Sequence, residues 1–227
     1  MTHQEVLDRW PILRPWFAGF PEELHKAYTV RELPEQYLIH QKGSPLERVG
    51  MLCDGGLRVV NEFNTGNIFQ IEHTAPVDII GDVTLLARQD RVSVTIETLV
   101  PSTILFFPRT DFEYWMERDS HLVREMAANV ANKLYHASLD RGKELFYSSP
   151  RLLMEYLLRQ SHQLPLPCKI GATRQEISET LGLSLRTVDR TVNKLRQQDL
   201  LSLERGKICL SESQRDQIAC RLKQWLD

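Results

Sequence analysis

The stretch that decides the fold of the second half of the chain runs Thr173-Arg174-Gln175-Glu176-Ile177, Leu181-Gly182-Leu183-Ser184 and Thr187-Val188-Asp189-Arg190. Its first four residues have the spacing of a capping box, in which the threonine hydroxyl and the glutamate side chain satisfy backbone N–H groups at a helix start. Gly182 predicts a tight turn, and Ser184 can cap a second helix. A short helix, a glycine-containing turn and a second helix describe a helix-turn-helix.

The second helix is predicted to have a buried face and an outward face. Its apolar residues recur at i, i+4 and i+7, at Val188, Val192 and Leu195. The side chains left facing outwards are Arg186, Asp189, Arg190 and Asn193. An α-helix fits the major groove of B-DNA, where an arginine can hold the O6 and N7 edge of guanine with two hydrogen bonds. We therefore predict that Arg186 and Arg190 read bases, while Asp189 accepts from a cytosine amino group or orients Arg190.

Residues around this helix suit contacts with the DNA backbone. The predicted DNA-binding residues are Thr173, Arg174, Gln175, Ser184, Arg186, Thr187, Asp189, Arg190 and Lys207. Leu200 to Glu204 and Lys207 to Leu210 flank Arg205-Gly206, a pattern typical of a two-stranded wing with a basic tip. The alternative is an ordinary three-helix packing with solvated arginines.

The first half of the chain has a different pattern, with short β-branched and apolar runs separated by turn residues. The predicted strands are Tyr37 to His40, Val49 to Cys53, Leu57 to Phe63, Ile68 to His73, Val92 to Thr98 and Thr103 to Phe107. Short strands at about ten-residue spacing predict an antiparallel sandwich or barrel. The first 25 residues are predicted to be helical and to pack against it.

A long helix is predicted between the two halves. An apolar stripe recurs at spacings of three and four, at Leu122, Met126, Val130, Leu134, Ala137, Arg141 and Leu145. Such a helix either lies across the sheet as a core element or forms a two-stranded coiled coil in a dimer. Ser149 before Pro150 then predicts the cap of a new helix that runs to about Gln163, which places a domain boundary here.

Composition limits the class of protein. The 227 residues are 42% apolar and 26% charged, as in a globular chain with a real core. Residues 151 to 227 hold 13 Lys and Arg against 9 Asp and Glu, whereas residues 1 to 150 are acidic, which favours a polyanion partner for the second half. A polar N-terminus predicts no secretory signal and a cytoplasmic location. The four cysteines lie far apart, a spacing that predicts neither a disulfide scaffold nor a metal site.

The helix-turn-helix stretches, followed by Leu195-Arg196-Gln197-Gln198-Asp199-Leu200-Leu201, resemble the DNA-binding segment of the Crp–Fnr superfamily of bacterial regulators. Ile79-Ile80-Gly81-Asp82-Val83-Thr84-Leu85-Leu86 is similar to the F-I-G-E-x-x-L stretch of the family's cyclic-nucleotide-type β-roll. The resemblance implies an α+β fold: an N-terminal antiparallel β-roll sensor domain (double-stranded β-helix or jelly roll) over 1–118, a dimerisation helix over 119–146 and a winged helix-turn-helix domain over 147–227. It also implies a homodimer, a palindromic operator in double-stranded DNA and RNA polymerase as a partner.

The predicted effector pocket departs from the members that bind cyclic AMP. The residues that match its positions are Gly81, Asp82, Arg91, Ser93 and Ser138. Asp82 replaces the family's ribose-binding glutamate with a shorter acid. Aligning Ser93 with the serine of the family's R-S-A puts Val92 where the phosphate-binding arginine belongs, with Arg91 one residue early. Because a one-residue slip on a strand reverses the face of a side chain, cyclic AMP is disfavoured.

Other chemistries find less support in the sequence. The iron–sulfur branch of the family has clustered N-terminal cysteines, whereas the first cysteine here is Cys53. Haem is left open, with His3, His73 or His136 as an axial ligand. Cys53 and His73 are the pair to consider as nucleophile and base of an enzyme, and we predict that the chain has no enzyme activity. The leading hypothesis is a regulator controlled by an unidentified small-molecule effector, and the alternative is a ligand-independent DNA-binding regulator whose β-roll is a protein-contact platform.

Overall fold

The computed structural model describes residues 1–63, 68–162 and 164–223. The chain divides into two units, one of Met1–Gly66 with Ile71–Ala137 and one of Asn67–Gln70 with Ser138–Asp227. Each unit buries apolar residues of its own. The predicted boundaries at 118 and 146 remain a prediction. In the described ranges, no helix combines the length and the apolar character that a membrane span requires.

Two four-stranded sheets account for the strands between residues 29 and 108. The first has the order β1 (Thr29–Leu33), β8 (Ser102–Pro108), β3 (Arg48–Asp54), β6 (Asp78–Ile80), and the second has the order β2 (Leu38–His40), β7 (Thr95–Thr98), β4 (Leu57–Glu62), β5 (Ile68–Thr74). The pairings of β8 with β1 and β3, and of β7 with β2 and β4, are antiparallel. This confirms the predicted α+β fold with N-terminal antiparallel sheets.

The alternation of side chains along β8 explains how the sheets pack. Ile104 and Phe106 point into a cluster with Leu33, Leu52 and Ile96, between the two sheets. The intervening Leu105 and Phe107 point to the opposite face and join a larger cluster with the helices. A strand buried on both faces reads as a continuous apolar run, which is why β8 was predicted within one residue at each end.

Two strands of the first unit are not among the predicted strands, and one is shorter than predicted. The sequences of β1 and β6 are short and carry charged residues, so no apolar alternation marks them. The predicted strand from Val92 begins only at Thr95, because Arg91 forms an isolated bridge with Pro45 and the chain then turns. The main antiparallel architecture does not depend on these differences.

Helices cover the outer face of the first sheet. The N-terminal segment is α1 (His3–Arg9) followed by two short 3-10 turns, Pro11–Leu13 and Glu22–Leu24, rather than one longer helix. The other helices of this unit are α2 (Asp82–Leu86), α3 (Arg109–Arg118) and α4 (Ser120–Phe146), of which α4 extends beyond it. Asp119 separates α3 from α4 because its carboxylate accepts hydrogen bonds from the backbone N–H groups of His121 and Leu122.

The predicted apolar stripe of α4 has two different environments. Leu122 and Met126 are fully buried in the core of the first unit, as the core interpretation requires. Further along, Leu134 is 66% exposed and Tyr135 is 63% exposed. Arg141 and Leu145 lie outside the residues whose side chains are described. The stripe therefore serves the core over its first two turns and leaves large apolar side chains uncovered afterwards.

The second unit is built from α5 (Ser149–Ser161), β9 (Cys168–Lys169), α6 (Arg174–Leu181), α7 (Leu185–Gln197), β10 (Ser202–Glu204), β11 (Lys207–Leu210) and α8 (Glu212–Lys223). Its small sheet has the order β10-β11-β9. The N-cap of α5 is Ser148, one residue before the predicted Ser149, and its side chain makes no capping bond. Pro150 accordingly occupies the second helical position, where its missing N–H still costs no hydrogen bond.

Candidate functional site

The helix-turn-helix forms as its capping residues predict. The Thr173 hydroxyl accepts from the Glu176 backbone N–H at 3.2 Å, and the Glu176 carboxylate accepts from the Thr173 N–H at 2.6 Å. Gly182 ends α6 with a φ of +62°, a left-handed conformation that favours glycine. Ser184 then caps α7 by accepting from the Thr187 N–H at 3.1 Å. These three positions fix where α7 starts and therefore which of its residues face outwards.

The two faces of α7 separate as predicted. Val188, Val192 and Leu195 are buried in the core of the second unit. Arg186 and Arg190 are exposed on the other side, one turn apart, so their guanidinium groups lie on one surface. The structure brings together the two predicted base readers near the start of α7, the part of a recognition helix that meets base edges.

Asp189 makes a contact that the sequence analysis did not anticipate. Its carboxylate lies 3.6 Å from Nε of Arg174, which is on α6, so the pair links the two helices. Arg174 also donates to the Gly206 carbonyl at 3.5 Å, at the tip of the wing. Among the described residues no contact joins Asp189 to Arg190, so its partner in the structure is Arg174, and its contact with a cytosine amino group remains a prediction.

The predicted wing is a hairpin closed by a two-residue turn. Arg205 and Gly206 both have positive φ, of 48° and 81°, as a tight hairpin turn requires. Arg205 is exposed at the tip, whereas the Lys207 ammonium donates to the Gly171 carbonyl. The tip thus presents one exposed guanidinium. Lys207 is held close to the backbone that leads into α6.

The remaining predicted backbone contacts lie on the same unit. Gln175 is exposed on α6 and donates to Glu179 at 2.8 Å. Thr187 shares a hydrogen bond of 2.8 Å with the Ser184 hydroxyl. A capping hydroxyl accepts with its oxygen, so the hydrogen of Thr173 can still be donated to a phosphate. These residues remain predicted DNA contacts.

The residues of the predicted effector pocket have different environments, and the pocket remains a prediction. Arg91 is exposed and donates to the Gly43 carbonyl at 2.6 Å, and Ser93 is exposed, while Val92 between them is buried. This is the reversal of faces expected from the one-residue slip. Gly81 and Asp82 are buried at the start of α2, and Ser138 is exposed on α4 in the second unit. Of the set, only Gly81 and Asp82 face the interior of the first unit.

A lysine from α4 forms an ion pair with Asp82. The Lys133 ammonium lies 2.8 Å from Asp78 Oδ1 and 3.3 Å from Asp82 Oδ2, with Glu72 at 3.9 Å. Asn129, one turn earlier on α4, donates to Asp78 at 2.8 Å. We refer to these five residues as the Lys133 cluster. It ties α4 to β5, β6 and α2 within the first unit.

Burial and charge shift the ionisation of the Lys133 cluster. Burial raises the pKa of Asp82, which is 5% exposed, and of Glu72, although the Lys133 charge opposes both shifts. Burial would lower the pKa of Lys133, but Asp82 and Asp78 outweigh it and the pKa of Lys133 is raised. Three acidic side chains surround one cation, so the cluster repels a further anion such as a nucleotide phosphate.

Lys133, Asn129 and Asp78 are not among the residues predicted from the sequence. A signal was present, since Asn129 and Lys133 are four apart on a helix and Asp78 and Asp82 are four apart around the β6–α2 turn. Polar residues with that spacing are usually read as a solvated helix face. Only the fold brings the two pairs together.

The other residues considered for cofactors and catalysis are placed as follows. His3 bonds the Tyr28 hydroxyl through Nδ1 at 2.9 Å and stacks on His25, and His136 is exposed on α4. The side chain of His73 lies outside the described set. Burial raises the pKa of Cys53 to about 12, which leaves its thiol protonated and a poor nucleophile at neutral pH.

Comparison with known proteins agrees with this geometry. The family model for the cyclic nucleotide-binding domain matches residues 30–119, and that for the Crp-like helix-turn-helix domain matches residues 152–215. The two matches cover the paired sheets and the helix-turn-helix with its wing.

Individual relatives are distant but match most of the chain. The cAMP-activated global transcriptional regulator CRP of Escherichia coli is 24% identical over 170 residues, which cover 73% of this chain and 80% of that protein. The anaerobic regulatory protein of Bacillus subtilis is 21% identical and covers 89% and 87%. The c-di-GMP responsive global regulator CLP of Xanthomonas campestris has the same fold, with a TM-score of 0.76, 13% identity and coverage of 88% and 98%. The chain therefore belongs to the Crp–Fnr superfamily of bacterial transcription regulators.

Proposed function

We propose that the chain is a cytoplasmic, homodimeric regulator that binds a palindromic operator, with its DNA affinity controlled by an effector other than cyclic AMP. The observation that carries the DNA-binding part is the exposed pair Arg186 and Arg190, opposite the buried stripe of α7. Each copy supplies one such helix to one major groove. Arg205 at the wing tip and the start of α6 supply contacts to phosphates.

A dimer is supported by the uncovered part of α4. Leu134 and Tyr135 are large apolar side chains that lie exposed at neighbouring positions of a long helix. Packing this surface against the same surface of a second copy would remove both from water. Two copies related by a two-fold axis read an inverted repeat, which is the reason for expecting a palindrome. RNA polymerase is the partner we expect for the bound dimer.

Genomic fragments retained by the purified chain at physiological salt, without added effector, would test this function. We expect enrichment of an inverted repeat with half-sites about 34–36 Å apart, one helical turn of DNA. An Arg186→Ala/Arg190→Ala variant serves as the control and should lose the enrichment. Retention that is the same for both proteins, blind to sequence and lost at moderate salt, both without effector and with a small-molecule extract of the cells, would contradict sequence-specific binding.

The Lys133 cluster favours a second possibility, a regulator that needs no ligand. Its cation already occupies Asp82, and its surplus of acidic groups disfavours a cyclic nucleotide. In this alternative the β-roll is a platform for contacts with another protein. Repeating the enrichment with cyclic AMP should change nothing under either hypothesis. Repeating it with a small-molecule extract of the cells should strengthen binding only if an effector controls the chain.

A further inference from the structure

A cavity of about 370 Å³ opens at the edge of the two sheets where β1 and β2 lie. It belongs to the first unit and is distinct from the Lys133 cluster, since β1 and β2 are at one end of the two sheet orders and β5 and β6 are at the other. Its volume is in the lower part of the range of about 300–1,000 Å³ found for small-molecule sites.

The strand register directs charged side chains to the mouth of this cavity. Arg31 of β1 is opposite Ile104, and Arg48 of β3 is opposite Pro108, on the same face of β8 as Phe106. Residues directly opposite in an antiparallel pair share a face of the sheet. Both arginines therefore lie on the same face of the first sheet as Phe106, and both are exposed. Phe106 is between them and forms part of the wall.

One of the residues that line the cavity has an unsatisfied polar atom. His40 of β2 is 9% exposed, and its Nε2 is buried without a hydrogen-bond partner. Burial lowers the pKa of His40, and this effect outweighs a hydrogen bond with the Arg48 backbone that raises the pKa. The ring is therefore neutral at neutral pH. A ring that donates to a carbonyl oxygen through one nitrogen keeps the other as an acceptor. A buried acceptor of this kind calls for a donor from a bound molecule.

The charge and the shape of the cavity define which molecules can bind in it. Neither Arg31 nor Arg48 has an acidic side chain within 4 Å among the described residues. Glu47 on the rim reduces the local charge to one surplus positive charge. Guanidinium groups favour carboxylate or phosphate, and Ile39 and Phe106 favour an apolar body between the charged group and the donor.

We propose that this cavity binds a small organic anion that carries a hydroxyl group: Arg31 and Arg48 hold the anionic end, and Nε2 of His40 accepts from the hydroxyl. The site goes beyond the proposed function, since its occupancy can be measured without DNA. A failure of the proposed anion binding therefore does not imply a failure of the proposed DNA binding, and the reverse also holds.

Calorimetric titration of the full chain with four probes tests the proposal. They are 4-hydroxybenzoate, benzoate without the hydroxyl, phenol without the anion, and phenyl phosphate to compare phosphate with carboxylate. We expect saturable binding of 4-hydroxybenzoate, with benzoate at least about tenfold weaker and phenol without measurable binding. Phenyl phosphate binding more tightly than benzoate would assign the anion as a phosphate, and the reverse as a carboxylate.

Variants connect the binding to the cavity. Arg31→Gln and Arg48→Gln should each weaken 4-hydroxybenzoate at least about tenfold, while Arg118→Gln, an exposed arginine on α3, should not. His40→Phe should abolish the preference for the hydroxyl. Because this buried change could disturb folding, the chemical shift of the His40 ring in the unaltered chain gives a second readout and should move on saturation. No saturable binding of any anion at millimolar concentration, or affinities unchanged in both arginine variants, would overturn the proposal.

Discussion

Arg190 and Arg186 are the side chains whose removal should separate sequence recognition from simple attraction to DNA. Both are exposed on α7, and neither is part of the buried core of the second unit. An arginine that reads a base contributes discrimination, whereas an arginine on a phosphate contributes affinity for any sequence. The effects on DNA affinity of replacing a base-reading arginine and a phosphate-binding arginine of the same unit can therefore be compared directly.

Arg190→Ala should lower affinity for the operator by about 1–3 kcal/mol, because it removes a bidentate contact with a base. Affinity for a scrambled duplex should fall much less. The measurement is the dissociation constant for both duplexes at two salt concentrations, together with the circular dichroism spectrum and the solution mass, which should not change. An unchanged ratio of the two affinities would contradict the assignment of Arg190.

Arg205→Asn is the matched control at the wing tip. Asparagine tolerates the positive φ of this position, so the turn should persist while the charge is lost. We expect weaker binding to operator and scrambled DNA alike, with the slope of log affinity against log salt reduced by about 1.

At this scale the caps and the faces of α7 follow from local spacing, because a capping box and a helical stripe involve residues within one or two turns. The reversal of Arg91 and Val92 followed for the same reason. The partner of Asp189 did not, since Arg174 lies fifteen positions away and meets it only after α6 and α7 pack.

Among the elements, α4 combines two roles that can be tested apart. Its Lys133 side chain compensates buried acids in the first unit, and its Leu134 side chain lies exposed beside it. The apolar stripe in the sequence left a core helix and a coiled coil as alternatives and did not predict that Leu122 and Met126 are buried while Leu134 is exposed. That division depends on how far the first sheet extends along α4.

Lys133→Met should destabilise the first unit by about 3 kcal/mol at pH 8, because breaking one partner of a buried ion pair leaves charges uncompensated. The loss should be smaller at pH 5. The pKa values of Asp82 and Glu72 are already raised in the folded chain, so ionising them costs stability as pH rises above about 4, and removing the cation increases that cost. Urea unfolding followed by tryptophan fluorescence measures it, since Trp10, Trp16 and Trp115 lie in this unit.

Lys26→Met provides the comparison for that experiment. Lys26 is exposed in the same unit, and no ion pair involves it in the described part of the chain. Its replacement should change stability by less than about 0.5 kcal/mol at both pH values. An equal loss at pH 5 and pH 8 for Lys133→Met would argue that packing, rather than charge, holds the cluster together.

Leu134→Glu should convert a dimer to a monomer of 26.4 kDa without unfolding either unit. A charge placed in an apolar interface between helices costs more than the interface regains by moving. Light scattering after size exclusion gives the mass. Asn132→Glu, an exposed position on the same turn but another face, should leave the dimer intact. A dimer that survives both changes would place the interface elsewhere.

For the molecule as a whole, the two units differ in how much of their fold could be predicted from the sequence. In the second unit local spacing marks α5, α6, the turn, α7 and the wing, so these could be predicted in order, whereas β9 and α8 were not predicted. The paired sheets depend on contacts between distant residues, as in β3 with β8, and short strands such as β1 and β6 carry too little pattern to be found singly. The cavity with His40 could not be predicted from the sequence because its lining residues are also distant along the chain.

The Lys133 cluster also joins α4 to the β-roll through a cation that belongs to the chain itself. A diffusible ligand fills its site in proportion to its concentration in the cell. The Lys133 ammonium is attached to the same chain as its acceptors, so its effective concentration is fixed by geometry and does not vary with growth conditions. In this chain the strength of that link is therefore set by the sequence, and a molecule that weakens it has to displace Lys133 from Asp78 and Asp82.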